Sequence, residues 1–292
     1  MKEKISIRFF DDREVRAVWN DADSRWWFSV LDIVGVLNNE NSYDKNRNYW
    51  KYLKAKLKTG GIQLGSGTNQ MKLVAPDGKK RLSDVIDSDG VVTLSKNLPN
   101  TKSNRFIEWF LYSENTVDSK SKSKAYALFE SSFLDSIEVG TVKGLQQIHS
   151  YLFGGLYDFA GQVRTKNISK GGFKFAAAEF LHNTLSDIEN LPEGTIENII
   201  DKYTEMNIAH PFMEGNGRPT RIWLDLIFKK KFSLCVDWSK INKNDYLEAM
   251  RQSVVDNSLL KNLIAHALTN KIQDREMYMK GIDYSYYYEE TD

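Results

Sequence analysis

The chain has 292 residues, 41% of them hydrophobic and 27% charged, with a formal net charge of +1. That length accommodates about two domains of ~100–200 residues, and the composition is that of an ordinary globular protein rather than a disordered or fibrous one. A net charge this small excludes whole-molecule attraction to nucleic acid, so any such contact needs a local basic patch.

Cys235 is the single cysteine, which excludes an internal disulfide. In the apolar run Phe232-Ser233-Leu234-Cys235-Val236 it reads as a small buried hydrophobe. The N-terminal residues lack the apolar core of a secretory signal, and no stretch approaches the ~18 apolar residues of a membrane span. With reduced thiol usage, these features predict a cytoplasmic protein with no membrane partner.

In chain order, residues 5–19 alternate as a strand pair about Asp11-Asp12, with Ile5, Ile7 and Phe9 on one face. Trp26 to Val30 reads as a third strand. Leu31, Val34 and Leu37, then Tyr49, Leu53 and Leu57, have helical spacing. Residues 60–80 read as a hairpin region with Pro76-Asp77-Gly78 as turn signal. Polar residues 114–124 suggest an exposed connection or a helix start. Helical patterning then dominates: Leu145, Ile148, Leu152 and Leu156; Ile196, Ile199, Ile200 and Tyr203; Leu260, Leu263, Ile264 and Leu268. Between these, Lys170-Gly171-Gly172-Phe173-Lys174-Phe175-Ala176 predicts a tight hairpin.

The chemistry concentrates in residues 210–221, His-Pro-Phe-Met-Glu-Gly-Asn-Gly-Arg-Pro-Thr-Arg. Gly215 and Gly217 permit positive φ and close approach of N–H groups to an anion. A helix is predicted to begin near Gly217, with Pro219 suited to its first turn, so its free amides and positive dipole end would face phosphate. Arg218 and Arg221, three apart, share a helix face and can fork onto phosphate oxygens. Glu214 offers a hard oxygen for Mg²⁺. His210 can remove a hydroxyl proton near neutral pH. His149, His182 and His266 lack such neighbours and read as structural or surface residues.

This stretch resembles the signature H-P-F-x-[D/E]-G-N-G-R-x-x-R of the Fic (Fido) family at every defined position. Ile148 to Phe153, Tyr157 to Arg164, Asn167 to Ala176 and Val236 to Lys240 extend the resemblance over about residues 125–270. The family implies protein adenylylation: AMP passes from ATP, with Mg²⁺ as cofactor, to a Ser, Thr or Tyr hydroxyl of a target protein. By the same resemblance His210 is the general base, Phe212 anchors the loop and Glu214 holds Mg²⁺. Gly215, Asn216, Gly217, Arg218 and Arg221 bind ATP, Arg221 at the γ-phosphate. The hairpin with Gly172, Phe173, Lys174 and Phe175 is the flap that docks the target. Gly217 favours AMP over the phosphotransferase variants, which carry lysine there.

Two further resemblances bear on organisation. Ser285 and Glu289, four apart, match the [S/T]-x-x-x-E-[G/N] pattern of a C-terminal inhibitory helix, although Glu290 replaces its last residue. This implies that Glu289 pairs with Arg221 and obstructs the γ-phosphate, and it makes the neighbouring tyrosines candidate self-modification sites. Residues 7–16, 26–33, 49–54 and 78–85 resemble the Bro-N domain of phage antirepressor-like proteins, a family associated with DNA. Lys45, Arg47, Lys51 and Lys54, interleaved with Tyr49, Trp50 and Tyr52, form a candidate nucleic-acid patch.

The expected architecture is therefore an α+β Bro-N-like domain over 1–105, an all-α Fic helical domain with a small β-hairpin flap over 106–275, and an inhibitory tail over 276–292. The alternatives are a DNA-binding regulator whose Fic domain only binds ATP, and a Fic enzyme that moves or removes another phosphate-containing group.

Overall fold

A hairpin opens the structure. β1 (Lys4–Phe10) and β2 (Arg13–Asn20) pair antiparallel, Phe10 opposite Arg13, around Asp11 and Asp12 at φ 49° and 59°. A short Asp side chain tolerates this left-handed region because it can bond locally. β3 (Arg25–Ser29) runs directly into helix α1 (Val30–Asn38), whose N-terminus Ser29 caps by accepting from the Asp32 N–H. α2 (Tyr43–Thr59) buries Trp50, Leu53 and Leu57 along one stripe. β4 (Asn69–Val74) and β5 (Lys80–Ile86) complete a five-stranded sheet of order β1-β2-β3-β5-β4. α3 (Ser88–Lys96) and α4 (Ser103–Ser113) close this unit.

The computed structural model describes residues 4–20, 22–23, 25–75, 79–98, 101–113, 116–170 and 172–289. The turn expected at Pro76-Asp77-Gly78, Gly171 of the hairpin, and Glu290 lie outside the described residues. The chain divides into two units, 1–116 and 117–292. The division thus falls later than the expected 105. The expected boundary falls inside α4, whose Phe106 and Phe110 are buried with Phe10, Phe28 and Val30 in the first core.

The second unit is mostly helical. α5 (Val117–Glu130) begins inside the polar 114–124 stretch. α6 (Val142–Phe153), capped by Thr141, buries Leu145, Ile148, His149 and Leu152, and Leu156 falls beyond its end. The two-stranded hairpin of β6 (Ser169–Lys170) and β7 (Phe173–Lys174) follows. Then come α7 (Leu181–Glu189), α8 (Ile196–Ala209) and α9 (Gly217–Phe232). β8 (Cys235–Val236), α10 (Lys243–Gln252), α11 (Ser258–Ala267), β9 (Leu268–Thr269) and α12 (Arg275–Tyr287) complete the unit. Every residue of α9 from Arg218 to Phe228 is buried. A helix buried on all sides is the axis around which others pack, and α6, α8 and α12 surround α9. Cys235 is buried as expected. Among the described residues no helix is long and apolar enough to cross a membrane.

Candidate active site

His210 stands where α8 stops, for a reason written in the sequence. The residue before a proline is pushed out of the α conformation, and Pro211 has no N–H to continue the ladder. His210 forms the left-handed C-cap of α8, φ 50° and ψ 66°, with its N–H on the Met206 carbonyl. Its Nδ1 lies 3.0 Å from the Asn207 carbonyl oxygen. A carbonyl only accepts, so Nδ1 carries the proton and Nε2 keeps its lone pair. The ring stacks on Phe175 at 3.8 Å. Burial pushes the His210 pKa down to about 4, against the opposing pull of the Asn207 carbonyl and Glu289, so the imidazole is a neutral base at neutral pH.

The loop after His210 is braced from within. Phe212 is fully buried and stacks on His149 at 3.8 Å. Asn216 Oδ1 accepts from the Phe212 N–H at 2.7 Å, and its Nδ2 donates to the Phe212 carbonyl at 2.8 Å. The side chain of Asn216, expected to bind ATP, closes the loop on its own backbone. Gly215 has φ 74°, and a Cβ there would lie 2.6 Å from the Phe153 ring. Gly215→Ala therefore combines backbone strain with a clash. We expect it to cost roughly 2–4 kcal/mol, seen as a lowered thermal unfolding midpoint; an unchanged midpoint would contradict this account of the loop.

Two residues that the sequence reading left out of the site hold this loop. Arg164 donates from Nε to the His210 carbonyl at 2.7 Å, and from its terminal nitrogens to the carbonyls of Lys166 (2.8 Å), Ala176 (2.5 Å) and Ala209 (3.0 Å). It thereby ties both ends of the hairpin to the histidine. His149 Nδ1 accepts from the Gly161 N–H at 2.8 Å, so Nε2 donates to the Glu214 carbonyl at 3.0 Å. One acceptor and one donor are what neutral imidazole supplies.

Burial lowers the His149 pKa to about 4. The folded value lies below the ordinary ~6.5 of an unfolded chain, so this stabilisation is complete above that pH and is lost as pH falls toward the folded value. We expect roughly 2 kcal/mol of stability to disappear by pH 5 from this group alone. The unfolding midpoint should fall on acidification in the wild type, and less steeply in His149→Asn; equal slopes would contradict the assignment.

At the start of α9, Gly217 lies directly under Glu289: a Cβ on Gly217 would sit 2.1 Å from Glu289 Oε1. Arg221, 1% exposed, donates from Nε to Ser285 Oγ at 2.7 Å and from Nη2 to the Ser285 carbonyl at 2.7 Å and Glu289 Oε1 at 2.6 Å. Its Nη1 donates to the Tyr246 hydroxyl at 3.1 Å. Burial works against the Glu289 charge, but Arg221, Arg218 and Lys170 outweigh it and hold the carboxyl below its usual range. Arg218 is also buried, between the rings of Phe153 and Tyr286 at 5.1 Å each, and pairs with Asp118. A base, two arginines and a helix N-terminus already covered by a carboxylate thus converge on one loop.

Residues 140–228, which contain this loop, match the Fic/DOC family. The chain carries a Fic/DOC family domain. It is 29% identical over 147 residues to the protein adenylyltransferase VbhT of Bartonella schoenbuchensis, covering 46% of this chain and 30% of that protein. To the probable protein adenylyltransferases Fic of Salmonella typhimurium and Escherichia coli it is 30% and 29% identical, covering 31% and 39% of this chain and 52% and 64% of theirs. The chain thus spans less than two thirds of the length of these relatives. The crystal structure of the BepC protein of Bartonella tribocorum with bound AMPPNP aligns at 20% identity and TM-score 0.46, over 55% of this chain and 86% of that one.

Within the Fic domain, Glu214 is exposed, and its Oε1 accepts from the Gly215 N–H at 3.0 Å. One solvent-open carboxylate close to the start of α9 suits Mg²⁺, which takes one or two carboxylates and completes its shell from other oxygens. In the hairpin, Gly172 and Lys174 are exposed, and Phe173 meets Phe175 edge-on at 5.2 Å.

Helix α12 is docked onto the domain along its length. Asp283 bonds the Tyr126 hydroxyl and lies 3.2 Å from Lys122 Nζ, Arg275 pairs with Glu130, and Tyr278 stacks on Phe129 at 4.9 Å. The single Tyr288 O–H is shared between the carbonyls of Trp238 (2.6 Å) and Ile241 (2.9 Å). Of the tyrosines expected as self-modification sites, Tyr286, Tyr287 and Tyr288 are buried and Tyr284 is half-buried.

In the first unit, Lys45, Arg47 and Lys54 of the basic patch pair with Glu40 (3.0 Å), Asp44 (3.3 Å) and Asp84 (2.9 Å), while Lys51 is exposed. Trp50 is buried, with its indole N–H on Asp84 at 2.8 Å, and Tyr52 is exposed. His182 and His266 are exposed.

Proposed function

We propose that this chain is a protein adenylyltransferase that moves AMP from ATP to a Ser, Thr or Tyr hydroxyl of a target protein and is held inactive by α12. The observation that carries this is the pairing of a neutral His210, whose Nε2 lone pair is free of its Asn207 bond, with Arg218 and Arg221 at the start of α9.

In this reading the free amides and dipole of α9, with both guanidinium groups, grip the polyphosphate and neutralise its charge. His210 Nε2 takes the proton of the incoming hydroxyl as its oxygen attacks the α-phosphorus, and pyrophosphate leaves. Arg164 fixes the height of the histidine by holding its carbonyl. The hairpin offers backbone groups to an extended target segment. When bound, Mg²⁺ held by Glu214 would offset negative charge on the phosphates. Glu289 occupies Arg221, so ATP seats productively only when the carboxylate withdraws.

Support comes from the family match and the names of the relatives. Parallel incubations with ATP labelled at the α- or the γ-phosphate test the reaction. Label on protein from the α position alone is the outcome of adenylylation; γ-label on protein would replace it with phosphotransfer.

A further inference from the structure

We propose that Asp118 is a second carboxylate lock on the nucleotide site, closing Arg218 as Glu289 closes Arg221, so that ATP must displace both. This rests on the adenylyltransferase reading and adds a regulatory residue to it.

The two arginines are treated alike by the fold. Each is buried, each is flanked by aromatic rings, and each gives a terminal nitrogen to a carboxylate. The carboxylates come from opposite ends of the unit, Asp118 from the first turn of α5 and Glu289 from just beyond α12. Removing the Glu289 carboxylate by substitution leaves the Asp118 carboxylate in the chain.

The Arg218 guanidinium is also under-supplied. Its Nε is buried with no hydrogen-bond partner among the described residues. A buried donor left unmatched is uncommon and calls for an explanation. The guanidinium presents five N–H donors in a fixed fork that suits phosphate oxygens, and one carboxylate does not meet that capacity.

The asymmetry of exposure makes the lock reversible. The Arg218 side chain is 4% exposed and fixed between Phe153 and Tyr286, whereas the Asp118 side chain is 54% exposed. Asp118 can swing into water and keep its charge solvated, leaving the arginine in place for the nucleotide. Being half in solvent, it opposes binding less than Glu289 does.

The test is calorimetric titration of the full chain with ATP, ADP and adenosine, each with Mg²⁺, comparing Glu289→Gly with Glu289→Gly/Asp118→Asn. We expect ATP and ADP to bind roughly three- to tenfold tighter to the double variant. Adenosine, which has no phosphate, should gain nothing, and Asp118→Glu in the same background should keep the weaker affinities. Unchanged or weaker ATP and ADP binding would make Asp118 a support for Arg218 and overturn the lock, as would an equal gain for adenosine. If Glu289→Gly binds adenosine but neither phosphate-bearing ligand, and the double variant does the same, the lock and the nucleotide reading both fall.

Discussion

Glu289→Gly should tighten ATP binding by roughly 10- to 100-fold and switch on AMP transfer that the wild type barely shows. The size follows from where the carboxylate sits. Its Oε1 lies 2.6 Å from Nη2 of the fully buried Arg221 and over Gly217 at the opening of α9. An anion there draws on the helix dipole and on a desolvated guanidinium together, so a phosphate must compete for both. The same change leaves Arg221 buried without its counter-charge, which is destabilising. The variant should therefore unfold at a lower temperature than wild type and regain stability as ATP is added, because a ligand that binds only the folded state stabilises it. Calorimetric affinity, labelled AMP incorporation and a thermal scan check the three parts. Equal ATP affinity and equal transfer in the two proteins would remove Glu289 as an inhibitor.

In that activated background, His210→Asn should lower transfer by roughly 10²- to 10⁴-fold, the range for losing a positioned general base, while ATP affinity stays within a few-fold. Asparagine suits the test because it tolerates the left-handed backbone at this position. The α8 terminus should thus survive, and the variant should unfold near the temperature of its parent. A kinetic split of this kind, with kcat lost and nucleotide binding kept, is what an interaction made only in the transition state produces. Activity within tenfold of the parent would take the base role from His210.

Much of this was legible in the sequence because it is local. Alternation fixed by the turn at Asp11-Asp12, the stop written by His210-Pro211, and the clustering of His210, Glu214, Arg218 and Arg221 each depend on neighbours a few residues away. What was not legible depends on distant partners. Asn216 looks like a phosphate ligand within the glycine-rich stretch, and only the folded loop shows both atoms of its amide bound to Phe212. Arg164 clamps four carbonyls from three segments, which a lone arginine in a connection does not announce. His149 gave no sign of its bond to Glu214, 65 positions away. The polar run containing Asp118 read as a connection or a helix start, with no sign of its bond to an arginine 100 positions on. Arg221 shows the reverse case, where the resemblance of Ser285 and Glu289 to an inhibitory pattern implied a contact that the structure brings onto one guanidinium.

The start of α9, covered by Glu289, is the proposed polyphosphate site. The most direct measurement is a crystal structure of the Glu289→Gly chain with Mg²⁺ and a non-hydrolysable ATP analogue. We expect phosphate oxygens on the Gly217 end of α9, bonded by Arg218 and Arg221, with the α-phosphorus within reach of His210 Nε2. Phosphates bound elsewhere, with both arginines turned away from them, would contradict it.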